Sequence, residues 1–184
     1  MNINNLFSSK ERLKILKYII YKERNITISQ TAHKLKLSKG LVSKYFYILV
    51  KEKLLSRYNN NFIVKNNINT RILKIFLNFN TLTFMDTFKK YKFVRGAGLY
   101  GSFVKGTNTE DSDIDMWILI KPEVREEEIA KLTNELKKKN EKISPLYLTP
   151  EKLNRLKNED IVFYHSLIFG SINIFGEDLE TTFS

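Results

Sequence analysis

The 184-residue sequence contains no cysteine. That excludes disulfides and thiolate metal sites, and it fits a reducing compartment. No stretch approaches the roughly 18 consecutive apolar residues needed to span a bilayer, so no membrane partner is expected. The opening MNINNLFSSKERLK lacks the apolar core of a signal peptide. A cytoplasmic location is the resulting expectation. Internal repeats and low-complexity segments are also missing. What is present suffices for a packed fold, since 42% of residues are hydrophobic and 12% aromatic, which argues against disorder.

Acidic residues are scarce in one place. Residues 1–66 hold 14 Lys and Arg against 3 Asp and Glu, an excess of 11, whereas residues 67–184 hold 17 of each. The whole formal charge of +11 therefore lies in the first third. A compositional bias of the genome would affect both parts alike. A segregated positive field suits a polyanion, nucleic acid above all.

Within that third, Ser8 or Ser9 can cap a helix, SKERLKILKYIIYKE, with Leu13, Leu16, Ile19 and Ile20 on one face. Asn25 ends it. Ser29 is a candidate cap for a short helix carrying Ala32, Leu35 and Leu37, and Ser38 for a second with Leu41, Val42, Tyr45, Ile48 and Leu49 turned inward. LLSRYNNNFIVKN then has the strand, Asn-rich turn and strand of a β-hairpin. A helical bundle with solvated lysines would share much of this pattern. The order of elements, however, and the stretch TISQTAHKLKLSKGLVSKYFYILVKEKLL resemble a winged helix-turn-helix. In that arrangement two helices cross tightly over a small residue, here Ala32, and the second offers polar residues to the major groove. The resemblance implies that Lys39, Gly40, Ser43, Lys44 and Tyr47 face double-stranded DNA, with Lys36 and Arg57 near phosphates. His33 is an ordinary surface histidine on this reading.

Residues 67–92 contain neither proline nor glycine and keep apolar residues at helical spacing. Two helices are expected, near 70–78 and 82–91, either linking two domains or forming the first layer of the second.

The chemistry concentrates in GLYGSFVKGTNTEDSDIDMWILI, residues 98–120. Val94–Tyr100 is a candidate strand, Gly101-Ser102 ends it, and the following residues can begin a helix. Glycine there would let a phosphate approach the backbone, and Ser102 adds a hydroxyl donor. DIDMWILI alternates with period two, so Asp113 and Asp115 share a face about 7 Å apart. Two like charges so placed repel, unless a divalent cation sits between them.

This stretch resembles the active-site signature of the polymerase-β-type nucleotidyltransferases in their minimal form: a Gly-Ser pair, a spacer of about ten residues, then two aspartates flanking one hydrophobic residue. Gly101, Ser102, Asp113 and Asp115 match position by position. Val104-Lys105-Gly106 stands where members commonly carry Ala-Arg-Gly, which keeps a cation but loses the bidentate fork of arginine. The tail DIVFYHSLIFGSINIFGEDLE resembles the closing helix and strand, with Ile172–Gly176 ending the domain. His165 is expected to pack or face solvent rather than catalyse.

The resemblance implies transfer of a nucleoside monophosphate from an NTP to a hydroxyl. Asp113 and Asp115 would hold two Mg²⁺, while Gly101, Ser102 and Lys105 would bind the nucleotide phosphates. The fold expected is α+β: a winged helix-turn-helix over residues 1–66, a helical linker over 67–92, and a nucleotidyltransferase-like domain over 93–184 with a mixed sheet flanked by helices. One element is lacking. The family usually supplies a third carboxylate from a later strand, and the candidate, Ile143–Leu148, contains none. Ser144 or Leu146 occupies its place, Pro145 marks an edge or bulged strand, and Glu141 before it and Glu151 after it are candidate substitutes, both expected to point to solvent.

Two functions follow. In the first, a DNA-binding enzyme transfers AMP from ATP, or another NMP, to a protein or nucleic-acid hydroxyl. Small members of the superfamily often serve as antitoxins that adenylylate a partner toxin, and a DNA-binding front would permit autoregulation. In the second, the winged helix is a transcriptional regulator and the rear domain a catalytically degenerate nucleotide sensor or scaffold. A grip on RNA is disfavoured by the lack of an aromatic stacking platform. A homodimer is left open.

Overall fold

The computed structural model describes residues 1–180, so the last four residues of the expected 93–184 domain lie outside the described ones. The chain divides into two units. One comprises Met1–Leu77 together with Gly106–Asp111, the other Asn78–Lys105 and the chain from Ser112 onward.

The first unit opens with a short helix the sequence did not announce, α1 (Ile3–Phe7), capped by Asn2. Helix α2 (Lys10–Ile19) starts at Ser9, whose hydroxyl accepts from the Arg12 amide. Helix α3 (Ile28–Leu35) is capped by Thr27, not by Ser29. The correction has a local cause: Thr27 is extended and its hydroxyl accepts from the Gln30 amide, while Ser29 already lies within the helix. Helix α4 (Lys39–Lys51) is capped by Ser38 as its sequence suggested. Strands β1 (Leu55–Tyr58) and β2 (Asn61–Val64) pair antiparallel as a hairpin. Helix α5 (Ile68–Phe79) adds Leu73 and Leu77 to the core of this unit. That core gathers Ile15, Leu16 and Ile19 of α2, Ala32 and Leu35 of α3, and Val42, Tyr45, Phe46 and Leu49 of α4 around Phe62 of the hairpin. The Tyr45 hydroxyl, fully inside, donates to the Leu6 carbonyl at 2.9 Å, so its burial leaves no orphan donor.

The second unit is a mixed four-stranded sheet with helices on both faces, an α+β arrangement. After α6 (Met85–Phe88), which is shorter than the 82–91 expected, come β3 (Val94–Leu99), α7 (Gly101–Lys105) and β4 (Ile114–Ile120). Then follow α8 (Glu126–Lys139), β5 (Ile143–Leu148), α9 (Pro150–Glu159), α10 (Ile161–Gly170) and β6 (Ile172–Gly176). The strand order is β5-β4-β3-β6, with β5 parallel to β4 and the other pairs antiparallel. Strand β5 is therefore an edge, which explains why Pro145 is tolerated in it.

Period-two alternation along β4 divides the layers. Ile114, Met116, Ile118 and Ile120 enter the core under α6 and α8 with Phe88, Leu132 and Leu136. Trp117 and Leu119 enter the opposite core, with Leu153 of α9 and Tyr164 and Leu167 of α10. Asp115 shares the parity of Trp117, so the pleat points it toward the α9–α10 side at the open end of the strand.

Candidate active site

The site grows out of the junction where β3 gives way to α7. Strand β3 runs antiparallel to β4, with Leu99 opposite Met116. One residue later the Tyr100 amide donates to the Asp115 carbonyl at 3.1 Å. The chain then turns at Gly101, whose φ is +71°. A Cβ added at Gly101 would stand 2.3 Å from Oδ2 of Asp115 and 3.2 Å from its Cγ. Glycine is demanded twice here, by the left-handed backbone and by the carboxylate lying directly against the turn. The Gly-Ser turn and the second aspartate, 14 positions apart, thus form one local structure.

Asp113 is exposed and sits one residue before β4, while Asp115 lies inside the strand and is half-buried. Burial pushes the Asp115 carboxyl above its ordinary range, and the nearby charge of Asp113 pushes it further. The tyrosine before the turn feels the same field: burial raises the Tyr100 phenol, and the Asp115 charge adds to that. Ser102, half-buried, follows Gly101 in α7. Lys105 is exposed in the last turn of that helix, and no ion pair among the described residues joins it to either aspartate.

The parallel register of β4 and β5 sets Asp115 opposite Ser144, and Trp117 opposite Leu146. Of the two positions the sequence offered for a third carboxylate, Ser144 is the one beside Asp115. A hydroxyl stands there and is exposed. A concavity of about 440 Å³ opens next to Asp113, lined also by Glu141, Lys142, Ser144, Thr133 and Tyr147. Glu141 is thus brought to the same hollow as Asp113. Glu151 is exposed in the first turn of α9, where its carboxyl is held below the ordinary range by hydrogen bonds to its own amide and to Thr149. Among the described residues no three His, Cys, Asp or Glu side chains gather closely enough to hold a metal ion on their own. His165 is exposed and stacks on Phe169 at a ring separation of 5.5 Å.

In the first unit, Lys39, Gly40 and Lys44 are exposed along the start of α4, with Ser43 half-buried and Tyr47 exposed a turn further on. Lys36 is exposed at the left-handed residue that ends α3. Arg57 of β1 reaches Tyr47: its guanidinium donates to the Tyr47 hydroxyl at 2.9 Å and lies 5.7 Å from the ring centre. This pairing is not legible in the sequence, because it depends on how the hairpin folds back toward α4. No helix among the described residues is long and apolar enough to cross a membrane.

The sequence model of the family Polymerase beta, Nucleotidyltransferase matches residues 83–180, more than half of the chain. The chain belongs to the polymerase beta nucleotidyltransferase family, and its second unit is the nucleotidyltransferase domain. Among curated proteins none matches it.

Proposed function

We propose that the chain is a magnesium-dependent nucleotidyltransferase that moves a nucleoside monophosphate, AMP from ATP in the first instance, to a hydroxyl of a protein or nucleic acid. The observation that carries this reading is the contact between Gly101 and Asp115. It sets a turn free of side chain against one carboxylate of the Asp113–Asp115 pair, which supports a site for a metal-bound triphosphate. The donor set fits Mg²⁺, because both aspartates offer hard carboxylate oxygens whose mutual repulsion a cation would relieve. Asp113 and Asp115 would hold the two ions, which when bound neutralise phosphate charge and polarise the reacting phosphoryl group. Gly101 and the Ser102 hydroxyl cradle the outer phosphates, and Lys105 supplies charge from the end of α7. The acceptor hydroxyl gives up its proton to solvent water as its oxygen bonds the α-phosphorus, while the bond to pyrophosphate breaks in line and pyrophosphate leaves. Catalysis by these residues is chiefly positioning and charge complementarity.

The first unit is read as a winged helix-turn-helix. Helix α4 enters the major groove of duplex DNA through Lys39, Gly40, Ser43, Lys44 and Tyr47, with Lys36 and Arg57 at phosphates. An antitoxin that modifies a partner toxin and controls its own operon combines the two activities. Incubation of the protein with each labelled NTP, Mg²⁺ and the product of the neighbouring gene tests the reading. Label transferred by the wild type and not by Asp113→Ala supports it, and equal transfer by both removes the site.

Ser144 favours a second reading. A hydroxyl where a carboxylate would share a metal and accept the acceptor proton lowers the rate by about 10²–10⁴. In that case the domain senses nucleotide and the chain acts as a regulator. A DNA mobility shift modulated by ATP, with no product formed, distinguishes it.

A further inference from the structure

The first unit holds a buried charge that neither the DNA-facing helix nor the aspartate pair uses. Lys74, on α5, is only 9% exposed. Its ammonium donates to the Asn108 carbonyl at 2.6 Å and lies 5.7 Å from the centre of the Tyr21 ring. No carboxylate stands within 4.0 Å of it among the described residues. Burial pushes its pKa down, and the more distant Glu23 offsets only part of that. A desolvated ammonium lacking a counter-ion is expensive, and folds usually supply one.

A cavity of about 230 Å³ opens at this charge, walled by Lys22, Lys65, Lys74, Thr70 and Thr107. Gly106 closes one side. Its φ is +65°, and a Cβ there would lie 2.3 Å from the Arg71 carbonyl, so the loop after α7 is pressed against α5 with no room for a side chain. Glu23 is the acidic residue of the wall, and Lys22 is already paired with Glu110 at 2.9 Å. Lys65 and Lys74 remain as cations without a carboxylate partner among the described residues. The space is smaller than the roughly 300–1,000 Å³ that encloses a drug-sized molecule. It suits a compact oxyanion instead.

We propose that this cavity binds a phosphate group, with Lys74 as the buried counter-charge and Lys65 and Thr107 as its outer donors. Its lining includes neither Gly101, Ser102 nor either aspartate, and the proposal stands whether or not nucleotidyl transfer does. A phosphate of this chemistry could belong to a free phosphate, to a nucleotide, or to the backbone of bound DNA.

Calorimetric titration of the full chain with inorganic phosphate at low ionic strength tests it. The wild type is compared with Lys74→Met, Lys65→Ala and Lys157→Ala, the last a control at an exposed lysine of α9. Phosphate affinity should fall about tenfold or more in Lys74→Met, by less in Lys65→Ala, and stay unchanged in Lys157→Ala. Lys65 is exposed, so its variant keeps the test decisive should Lys74→Met fail to fold. A parallel titration of Lys74→Met with a short duplex identifies the source. Retained duplex affinity assigns the site to free phosphate or a nucleotide, and lost duplex affinity assigns it to the DNA backbone. A wild type that binds no phosphate, or lysine variants that bind it as the wild type does, overturns the proposal.

Discussion

Replacing Gly101 by alanine should damage stability and activity through two separable physical effects. The first is backbone strain: at φ +71° an L-residue is disfavoured by about 1–2 kcal/mol. The second is a collision. The new Cβ would stand 2.3 Å from Asp115 Oδ2, whereas ordinary contact begins at 3.4 Å, so the two must separate by about 1 Å. Because the Asp115 Cγ is also only 3.2 Å away, rotating the carboxylate tip alone does not relieve it. A displacement of that size at a reacting centre costs about 10²-fold in rate. Gly101→Ala should therefore lose about 1–2 kcal/mol in urea unfolding and about 10²-fold in kcat/KM for nucleotidyl transfer. Gly40→Ala is the control. Nothing lies within 4 Å of a Cβ at that helical position, so stability should rise by about 0.5–1 kcal/mol with transfer unaffected. A Gly101→Ala protein as stable and active as the wild type would show that turn and carboxylate are not one unit.

Asp115→Asn removes a charge that burial and Asp113 both penalise. A carboxyl raised in the fold destabilises it where ionised, so the variant should melt higher than the metal-free wild type at neutral pH. That advantage should vanish as pH falls toward the ordinary aspartate value of 3.8, while transfer drops by at least about 10²-fold. Arg57→Ala takes away the hydrogen bond and ring contact at Tyr47; duplex affinity should fall, and the slope of log K against log salt should flatten by about 0.9, read by fluorescence anisotropy. Arg95 donates to both carboxylate oxygens of Glu177, at 3.1 and 2.6 Å, and holds the Glu177 carboxyl below its ordinary value of 4.5. The resulting stability is full above that value and is lost as pH falls through the lower folded one. Glu177→Gln should thus cost less than about 1 kcal/mol near neutrality, discounted because the pair is partly exposed, and nothing in strong acid.

The parts of the fold that depend on short-range rules were legible. Serine caps at residues 9 and 38, the Asn-rich hairpin turn and the alternation through Asp113–Ile120 all act within a few residues. The cap at Thr27 was missed because two hydroxyl residues two apart compete, and the backbone settles the choice. Helix α6 is shorter than its apolar spacing implies. Thr87 and Phe88 bury there, while Lys89 and Lys90 follow as exposed turn residues. In the candidate site, motif spacing picks out Gly101, Ser102, Asp113 and Asp115, but the clash geometry at Gly101, the register placing Ser144 beside Asp115 and the arrival of Glu141 near Asp113 are tertiary facts. The same holds for the 106–111 loop, whose place in the first unit depends on α5 packing some 30 residues earlier.

The most direct measurement is calorimetry of ATP and other NTPs binding in the presence and absence of Mg²⁺, on the wild type and on Asp115→Ala. The account predicts heat that requires Mg²⁺ and disappears in the variant. Binding that ignores the metal, persists without Asp115, or never occurs with any NTP would contradict it.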